Sequence, residues 1–340
     1  MAAIAGLALV TGSTGFVGAH LCRGLLERGY RVRAFHRSTS TLRLLEGLDV
    51  EHAIGDLTQP ETLHDAMEGA AVVFHAAAWM GGNSPAGRQY AVTVEGTRNV
   101  LAAARQAGVR RVVHTSSVAA LGVPNEASNS EPGATGLMNE NHSWNFRPDF
   151  YPYGYAKYLA EQEVQKAVAN GLDVVIVNPS LVFGGGDVYR QSGSIITQVA
   201  ERRITVAVEG GVNCVHIDDV VDGHIAALEH GTTGERYILG GENLSILDLL
   251  TLIAEITGVP APSMVLPGWL VRSIGGPAHL LQGFLNLPIS LDLLRLAGYN
   301  FFYDLTKAET GLGLVNRRPA HLAIEEAAAW FRPKQEVTTA

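Results

Sequence analysis

The chain of 340 residues is 47% hydrophobic and 17% charged, with a formal net charge of −8. That length suits one large domain or two tightly joined ones, and the apolar share supports a substantial core and excludes wholesale disorder. The acidic balance argues against a nucleic-acid surface, because basic clusters such as Arg110-Arg111 and Arg202-Arg203 are too short to form a binding stripe.

Cys22 and Cys214 lie far apart in apolar company, with neither a disulfide ladder nor metal-site spacing, which fits a reducing compartment. Residues 1–10 are apolar but lack a basic leader and run into a glycine-rich turn, so they read as a buried parallel strand and not a signal peptide. No uninterrupted apolar stretch reaches the ~20 residues that span a bilayer. The expectation is a soluble, cytoplasmic protein without a transmembrane segment.

In chain order, β-rich runs alternate with helical patterns. The pattern predicts strands over 6–11, 31–36, 51–54, 71–75, 111–116 and 173–178, and helices over 17–28, 61–67, 94–107 and 153–169. This alternation marks an α/β fold with a doubly wound parallel sheet. Gly29, Gly108 and Gly171 follow three of the helices and suit left-handed C-terminal caps. After Pro179 the rhythm breaks into a glycine loop at 184–187, helices over 194–203 and 216–229, and a strand over 235–239. From 244 onward the chain is mainly helical and punctuated by proline. The expected division is a dinucleotide-binding Rossmann domain over 1–180, to which 215–240 returns, and a smaller, mostly helical substrate lobe formed by 181–214 and 241–335. Ligands bind at the carboxyl edge of such sheets. The apolar segment 265–302 is open to two readings, core and oligomer contacts or the lining of a hydrophobic pocket.

The run Thr11-Gly12-Ser13-Thr14-Gly15-Phe16-Val17-Gly18 joins the first strand to the first helix. Gly12 permits the tight turn, Gly15 lets backbone approach a pyrophosphate, and Gly18 allows close helix–strand packing. The helix start then offers unpaired N–H groups to phosphate. Cofactor contacts are therefore expected from Gly12, Thr14, Gly15, Phe16, Val17 and Gly18. An NAD site usually places an acid at the end of the second strand, about 20 residues on. Here that strand ends Phe35-His36-Arg37-Ser38. Arg37 is suited to a 2′-phosphate, so NADP(H) is favoured and NAD(H) is the alternative; a solvated strand-end arginine is the plain reading. Asp56-Leu57 ends a third strand, where the aspartate either accepts from the adenine amine or forms a turn. Ala76, Ala77 and Ala78 are small enough for close cofactor approach, and the preceding His75 reads as structural.

Thr115-Ser116-Ser117 ends a further strand and is expected to project hydroxyls into the same crevice. Tyr153 and Lys157 stand four apart, on one face of a helix. An ammonium one turn from a phenol pulls its pKa below the free value of about 10. Such a tyrosine is an acid/base for carbonyl–alcohol chemistry, with a serine hydroxyl to hold the oxygen.

Together with Gly96–Val100 of the sequence Gly-Thr-Arg-Asn-Val, Asn178-Pro179-Ser180 and His216-Ile217-Asp218-Asp219-Val220, these motifs resemble the extended short-chain dehydrogenase/reductases of the NAD-dependent epimerase/dehydratase family, over nearly the whole chain. The likeness is to the dihydroflavonol-4-reductase-like and 3β-hydroxysteroid dehydrogenase-like branch. It implies that Ser117 polarises the substrate oxygen and Tyr153 is the acid/base. It implies further that Lys157 tunes the phenol and holds the nicotinamide ribose, with Pro179 and Ser180 near the nicotinamide amide. No metal is implied. Thr93 stands where the family often has asparagine, and Leu121 where the sugar-modifying branch often has tyrosine. The reaction expected is reduction of a hydrophobic ketone or aldehyde, or its reverse. The alternatives are a nucleotide-sugar epimerase or dehydratase with tightly bound cofactor and a non-catalytic NADP-binding sensor. The resemblance also implies a homodimer through helices 94–107 and 153–169.

Overall fold

The structure, a computed structural model, describes residues 6–79, 86–125, 136–188, 192–275 and 294–332. Among the described residues twelve strands run in chain order: β1 Leu7–Thr11, β2 Arg31–His36, β3 Glu51–Ile54, β4 Ala70–His75, β5 Arg111–Thr115, β6 Val174–Pro179, β7 Leu181–Phe183, β8 Ala207–Val208, β9 Gly211–His216, β10 Arg236–Leu239, β11 Glu242–Ser245 and β12 Val265–Leu266. The helices that matter to the site are α1 Phe16–Glu27, α2 Pro60–Met67, α3 Ala86–Tyr90, α4 Gly96–Gln106, α5 Pro152–Ala169, α6 Gly193–Ala200, α7 Ile217–His230, α8 Ile246–Thr257 and α9 Gly268–Gly275.

Seven strands form one sheet in the order β10-β6-β5-β4-β1-β2-β3, every neighbouring pair parallel. Parallel strands covered on both faces must be apolar on both, and β1 and β6 are buried along their whole lengths. One face packs on α1 and α7 around Leu21, Leu25, Val220 and Ile225. The other packs on α2, α4 and α5 around Leu63, Met67, Val100 and Val164. The strand order reverses direction between β1 and β4, which opens a crevice at their carboxyl ends, where ligands bind in such sheets.

The predicted strands over 31–36 and 51–54 match β2 and β3 residue for residue, and Gly29, Gly108 and Gly171 adopt φ of 79°, 67° and 88°. Two regions differ. Before α4 the chain is already helical from Ala86 and passes through a π turn, Ala91–Glu95. The C-terminal lobe also carries strands that sequence reading had as loop or helix, a three-stranded sheet β11-β9-β7 and a two-stranded sheet β12-β8. β7, β8 and β12 span only two or three residues, too short for an alternating pattern to register, and β9 and β11 pair with each other across the lobe and not within an alternation of strand and helix. Residues 276–293, within the apolar segment singled out above, lie outside the described residues.

Three histidines sit inside the sheet layers. His75 bridges Thr11 Oγ1 (2.7 Å) and Thr97 Oγ1 (3.0 Å), in keeping with the structural reading. His224 bridges Thr115 Oγ1 (2.8 Å) and Val220 O (2.7 Å). His114, ring centroid 5.2 Å from that of His75, has no hydrogen-bond partner for either nitrogen among the described residues. Burial lowers His75 from 6.5 to about 3 and His224 to about 4, and sends His114 well down. The unfolded chain takes up these protons near pH 6.5 and the folded chain does not. Their stabilising contribution is therefore complete above pH 6.5 and is lost as pH falls toward 3. Denaturant unfolding should show at least ~1 kcal/mol less stability at about pH 5.5 than at about pH 7.5, given roughly 1.4 kcal/mol per proton per pH unit. His114→Leu should hold or raise stability at the higher pH and shrink that loss. Equal stability at both pH values would show that the rings are not held neutral.

Candidate active site

Over the carboxyl ends of the sheet lies a continuous cleft of about 1350 Å³. Most small-molecule pockets measure roughly 300–1,000 Å³, so a dinucleotide and a second ligand can share this one. Its floor is the turn between β1 and α1. Gly12 adopts φ 68°, and a Cβ there would lie 2.7 Å from the Ala77 main chain; one on Gly18 would lie 2.1 Å from Gly12 O. The turn therefore closes only with glycine at both places and with small residues after β4. Ser13 Oγ pins it to Phe35 O at 3.0 Å, a contact sequence reasoning missed. Gly15 precedes α1 with no side-chain cap, so the first-turn amides of α1 are free for an anion at the positive end of the helix. Across the cleft, Ser180 Oγ is buried without a hydrogen-bond partner among the described residues. A glycine cradle, uncapped amides and an orphaned hydroxyl on the opposite wall fit a dinucleotide.

Arg37, exposed at the end of β2, lines the same cleft and its guanidinium has no partner among the described residues. Asp56 lines it too, while its Oδ1 accepts from Thr58 N (2.9 Å) and Thr58 Oγ1 (2.8 Å). It is thus a turn former that still faces the cleft. Leu57, Ala76, Ala77, Ala78 and Pro179 complete this wall.

Three hydroxyls at the end of β5 have three different destinations. Thr115 Oγ1 meets His224, Ser116 Oγ donates to Glu161 Oε1 (2.5 Å), and only the Ser117 side chain stands against the Tyr153 phenol. The expectation that all three point into the crevice is corrected: alternation turns Thr115 to the α7 face and Ser116 to the α5 face, both buried there, and Ser117 follows past the end of β5. Ser117 Oγ accepts from Ala119 N (3.2 Å), which leaves its O–H to donate. Gly154 lets α5 come close, since a Cβ there would lie 2.6 Å from Ala119 O. Tyr153 and Lys157 project from one face of α5, and both line the cleft.

Lys157 is buried and donates to Thr115 O at 2.9 Å. Burial lowers it to about 8, against the opposing charge of Glu161. The Tyr153 phenol is pushed up to about 12 by burial, with the Ser117 contact pulling weakly the other way. This overturns the expected acidic phenol: desolvation of a phenolate dominates, and the lysine hydrogen-bonds a strand carbonyl.

The other half of the cleft is built from the lobe. Ile195, Val212, Leu249, Val271, Leu296 and Phe301 supply an apolar wall, and Tyr151, Asn213 and Tyr303 add polar atoms. So part of 265–302 does line a pocket. Trp79 and Arg88, stacked with the guanidinium carbon 4.8 Å from the ring centroid, also border it and were not anticipated. Nothing in their spacing marks them: Trp79 follows β4 and Arg88 lies within α3.

The sequence profile of the NAD dependent epimerase/dehydratase family matches residues 8–240. The chain is 36% identical to sterol demethylase protein B of Methylococcus capsulatus over 96% of this chain and 98% of that one. It is 32% identical, over 91% of each chain, to a 4-hydroxy-2-methyl-3-oxo-4-farnesyl-3,4-dihydroquinoline-1-oxide ketoreductase of Stigmatella aurantiaca. The crystal structure of PA4631, a nucleoside-diphosphate-sugar epimerase from Pseudomonas aeruginosa, superposes with a TM-score of 0.79 at 27% identity, covering 96% of this chain and 97% of that one. Since the profile match starts within β1 and ends just past β10, the first and last strands of the sheet in chain order, the chain belongs to the NAD dependent epimerase/dehydratase family.

Proposed function

We propose that the protein is an NADPH-dependent reductase of a hydrophobic ketone or aldehyde, acting through Ser117, Tyr153 and Lys157, and able to run in reverse on the alcohol. The observation that carries this reading is that these three side chains share one cleft with the glycine turn, and that the far half of the cleft is mostly apolar. Bound cofactor would supply the hydride. Tyr153, pushed up to about 12, holds its proton at neutral pH and is a donor to the carbonyl oxygen. Ser117, its oxygen already occupied by Ala119 N, gives its hydrogen to the same atom. The Lys157 ammonium steadies the phenolate left behind. The cleft walls hold both reactants together, which removes much of the entropic barrier.

The ketoreductase relative supports the reaction type, and the sterol demethylase relative an apolar substrate. An unpaired Arg37 with no acid beside it supports NADP(H), NAD(H) remaining the alternative. The family name and the PA4631 structure favour a second reading, a sugar-nucleotide epimerase using the same three residues without net redox. Against it, the lobe half of the cleft is walled mainly by apolar side chains, and the cation at its border, Arg88, is stacked on Trp79. We also infer a homodimer through α4 and α5, in the cytoplasm, and note that among the described residues no helix is long and apolar enough to cross a membrane.

With a panel of hydrophobic ketones, wild-type protein should consume NADPH, and cofactor retained through purification without consumption would instead favour the epimerase. Tyr153→Phe should lower kcat at least ~10²-fold while NADPH binding, read by fluorescence, stays within about 3-fold; parental turnover would remove Tyr153 as the acid. Arg37→Ser should weaken NADPH by roughly 10–100-fold, the worth of a charge-assisted hydrogen bond, and leave NADH unchanged. Equal effects on both cofactors would sink the 2′-phosphate contact.

A further inference from the structure

One fully buried carboxylate beside the site has no role in the scheme above. Tyr153, Lys157 and Glu161 recur every fourth residue and so share the face of α5 turned to the sheet. Glu161 is 1% exposed. Its Oε1 accepts from Ser116 Oγ (2.5 Å) and from Asn178 Nδ2 (2.8 Å), and Asn178 Nδ2 also donates to Ser117 O (2.9 Å). Its Oε2 lies 3.6 Å from Arg236 Nη1 and accepts no hydrogen bond from a described residue. Glutamate is almost never buried this fully unless paired. Arg236 offers a pairing at the edge strand β10, and the second cation within reach is the buried Lys157, one turn back on the same helix.

We propose that Glu161 is a positioning residue of this site: its carboxylate keeps Lys157 an ammonium and, through Asn178, fixes the main chain that carries Ser117. The inference rests on the reading of Ser117, Tyr153 and Lys157 as the reacting groups. The charged and titratable groups that interact with Lys157 are Glu161 on α5, His75 on β4 and His114 on β5, with Tyr153 one turn away on α5 and Arg236 on β10 against Glu161. Both histidines are held neutral by burial, so Glu161 is the anion that opposes desolvation of the lysine. Without it, the ammonium that steadies the phenolate would be lost closer to neutral pH. The Asn178 bridge adds a geometric effect. A carboxylate on α5, an amide at the end of β6 and a carbonyl at the end of β5 form one chain of hydrogen bonds, so helix and strand ends keep register under the substrate oxygen.

The chain has only four lysines, at 157, 166, 307 and 334, so carbon-13 lysine labelling resolves the Lys157 titration directly, with assignment by Lys157→Met. Glu161→Gln retains an acceptor for Ser116 and Asn178 and removes only the charge. In the protein without substrate, its Lys157 midpoint should fall by ~1 pH unit or more, as expected on losing an opposite charge at short range. The alkaline limb of kcat should move by the same amount, with KM for the ketone within about 3-fold. A merely structural glutamate would alter stability and leave the midpoint in place, and an unmoved midpoint overturns the proposal. In the parent protein, the Glu161 side-chain carboxyl carbon, assigned with Glu161→Asp, should inflect at the Lys157 midpoint; a flat response overturns it as well, even should Glu161→Gln fail to fold. Because the lysine titration is read without turnover, its failure is separable from failure of the reductase reading, which Tyr153→Phe decides.

Discussion

The site is organised around the burial of one ammonium. Lys157 is 3% exposed beneath the carboxyl edge of a parallel sheet, and an unpaired charge in such a place costs several kcal/mol. The fold offsets this with a strand-end carbonyl, Thr115 O, and with an anion on its own helix. Both partners constrain the architecture. β5 must end where its last carbonyl turns toward α5, and α5 must present every fourth residue to the sheet. Gly154 permits the close approach of α5 to Ala119, in the chain just past β5. Once lysine, carbonyl and helix are in register, Tyr153 one turn earlier has no choice but to face the cleft beside Ser117.

The two halves of the cleft are made by different means. The half over the sheet is mostly backbone, a glycine turn, uncapped amides and small residues packed so tightly that added carbon atoms would collide with main chain. Such a surface recognises phosphates and ribose by shape and leaves little room for variation. The half over the lobe is side chain, apolar residues from α6, α8 and α9, from β9 and from the segment after residue 293. Elements that short owe their place to what they pack against, here the cluster around Phe183, Ile196, Leu250 and Ile324. The rigid half suits a constant cofactor, and on the proposed reading the lobe would set which partner meets it.

This division explains what could be read in the sequence. β2 and β3 are legible because they fall where the alternation of strand and helix calls for strands, and the glycine turn because its spacing answers a steric need. The strands of the lobe are not legible, since β8 and β12 have two residues each and their pairing is decided across the fold. The hydroxyls of Thr115 and Ser116 were misassigned because strand-end residues look alike until their partners, His224 and Glu161, are in view. Glu161 itself looks like any helical glutamate, which is solvated by default; only its burial distinguishes it. The phenol was misjudged for the same reason. Spacing reveals a nearby charge, and the water that burial removes leaves no mark in sequence.

The directions in which burial moves the two groups bear on the chemistry. A phenol pushed to about 12 beside an ammonium lowered to about 8 keeps its proton throughout the neutral range, and the lysine keeps most of its charge there. Proton donation to a carbonyl oxygen needs that combination, whereas alcohol oxidation needs the phenol already ionised. Under the proposed reductase reading this favours reduction near neutral pH and the reverse reaction in alkali. An epimerase must run both half-reactions in one turnover, so a phenol biased toward one protonation state would slow one of them. The same sheet and the same three side chains serve both kinds of enzyme across such a family. What would separate them here is what the lobe admits, and its described lining is mostly apolar, with Arg88 at the border stacked on Trp79.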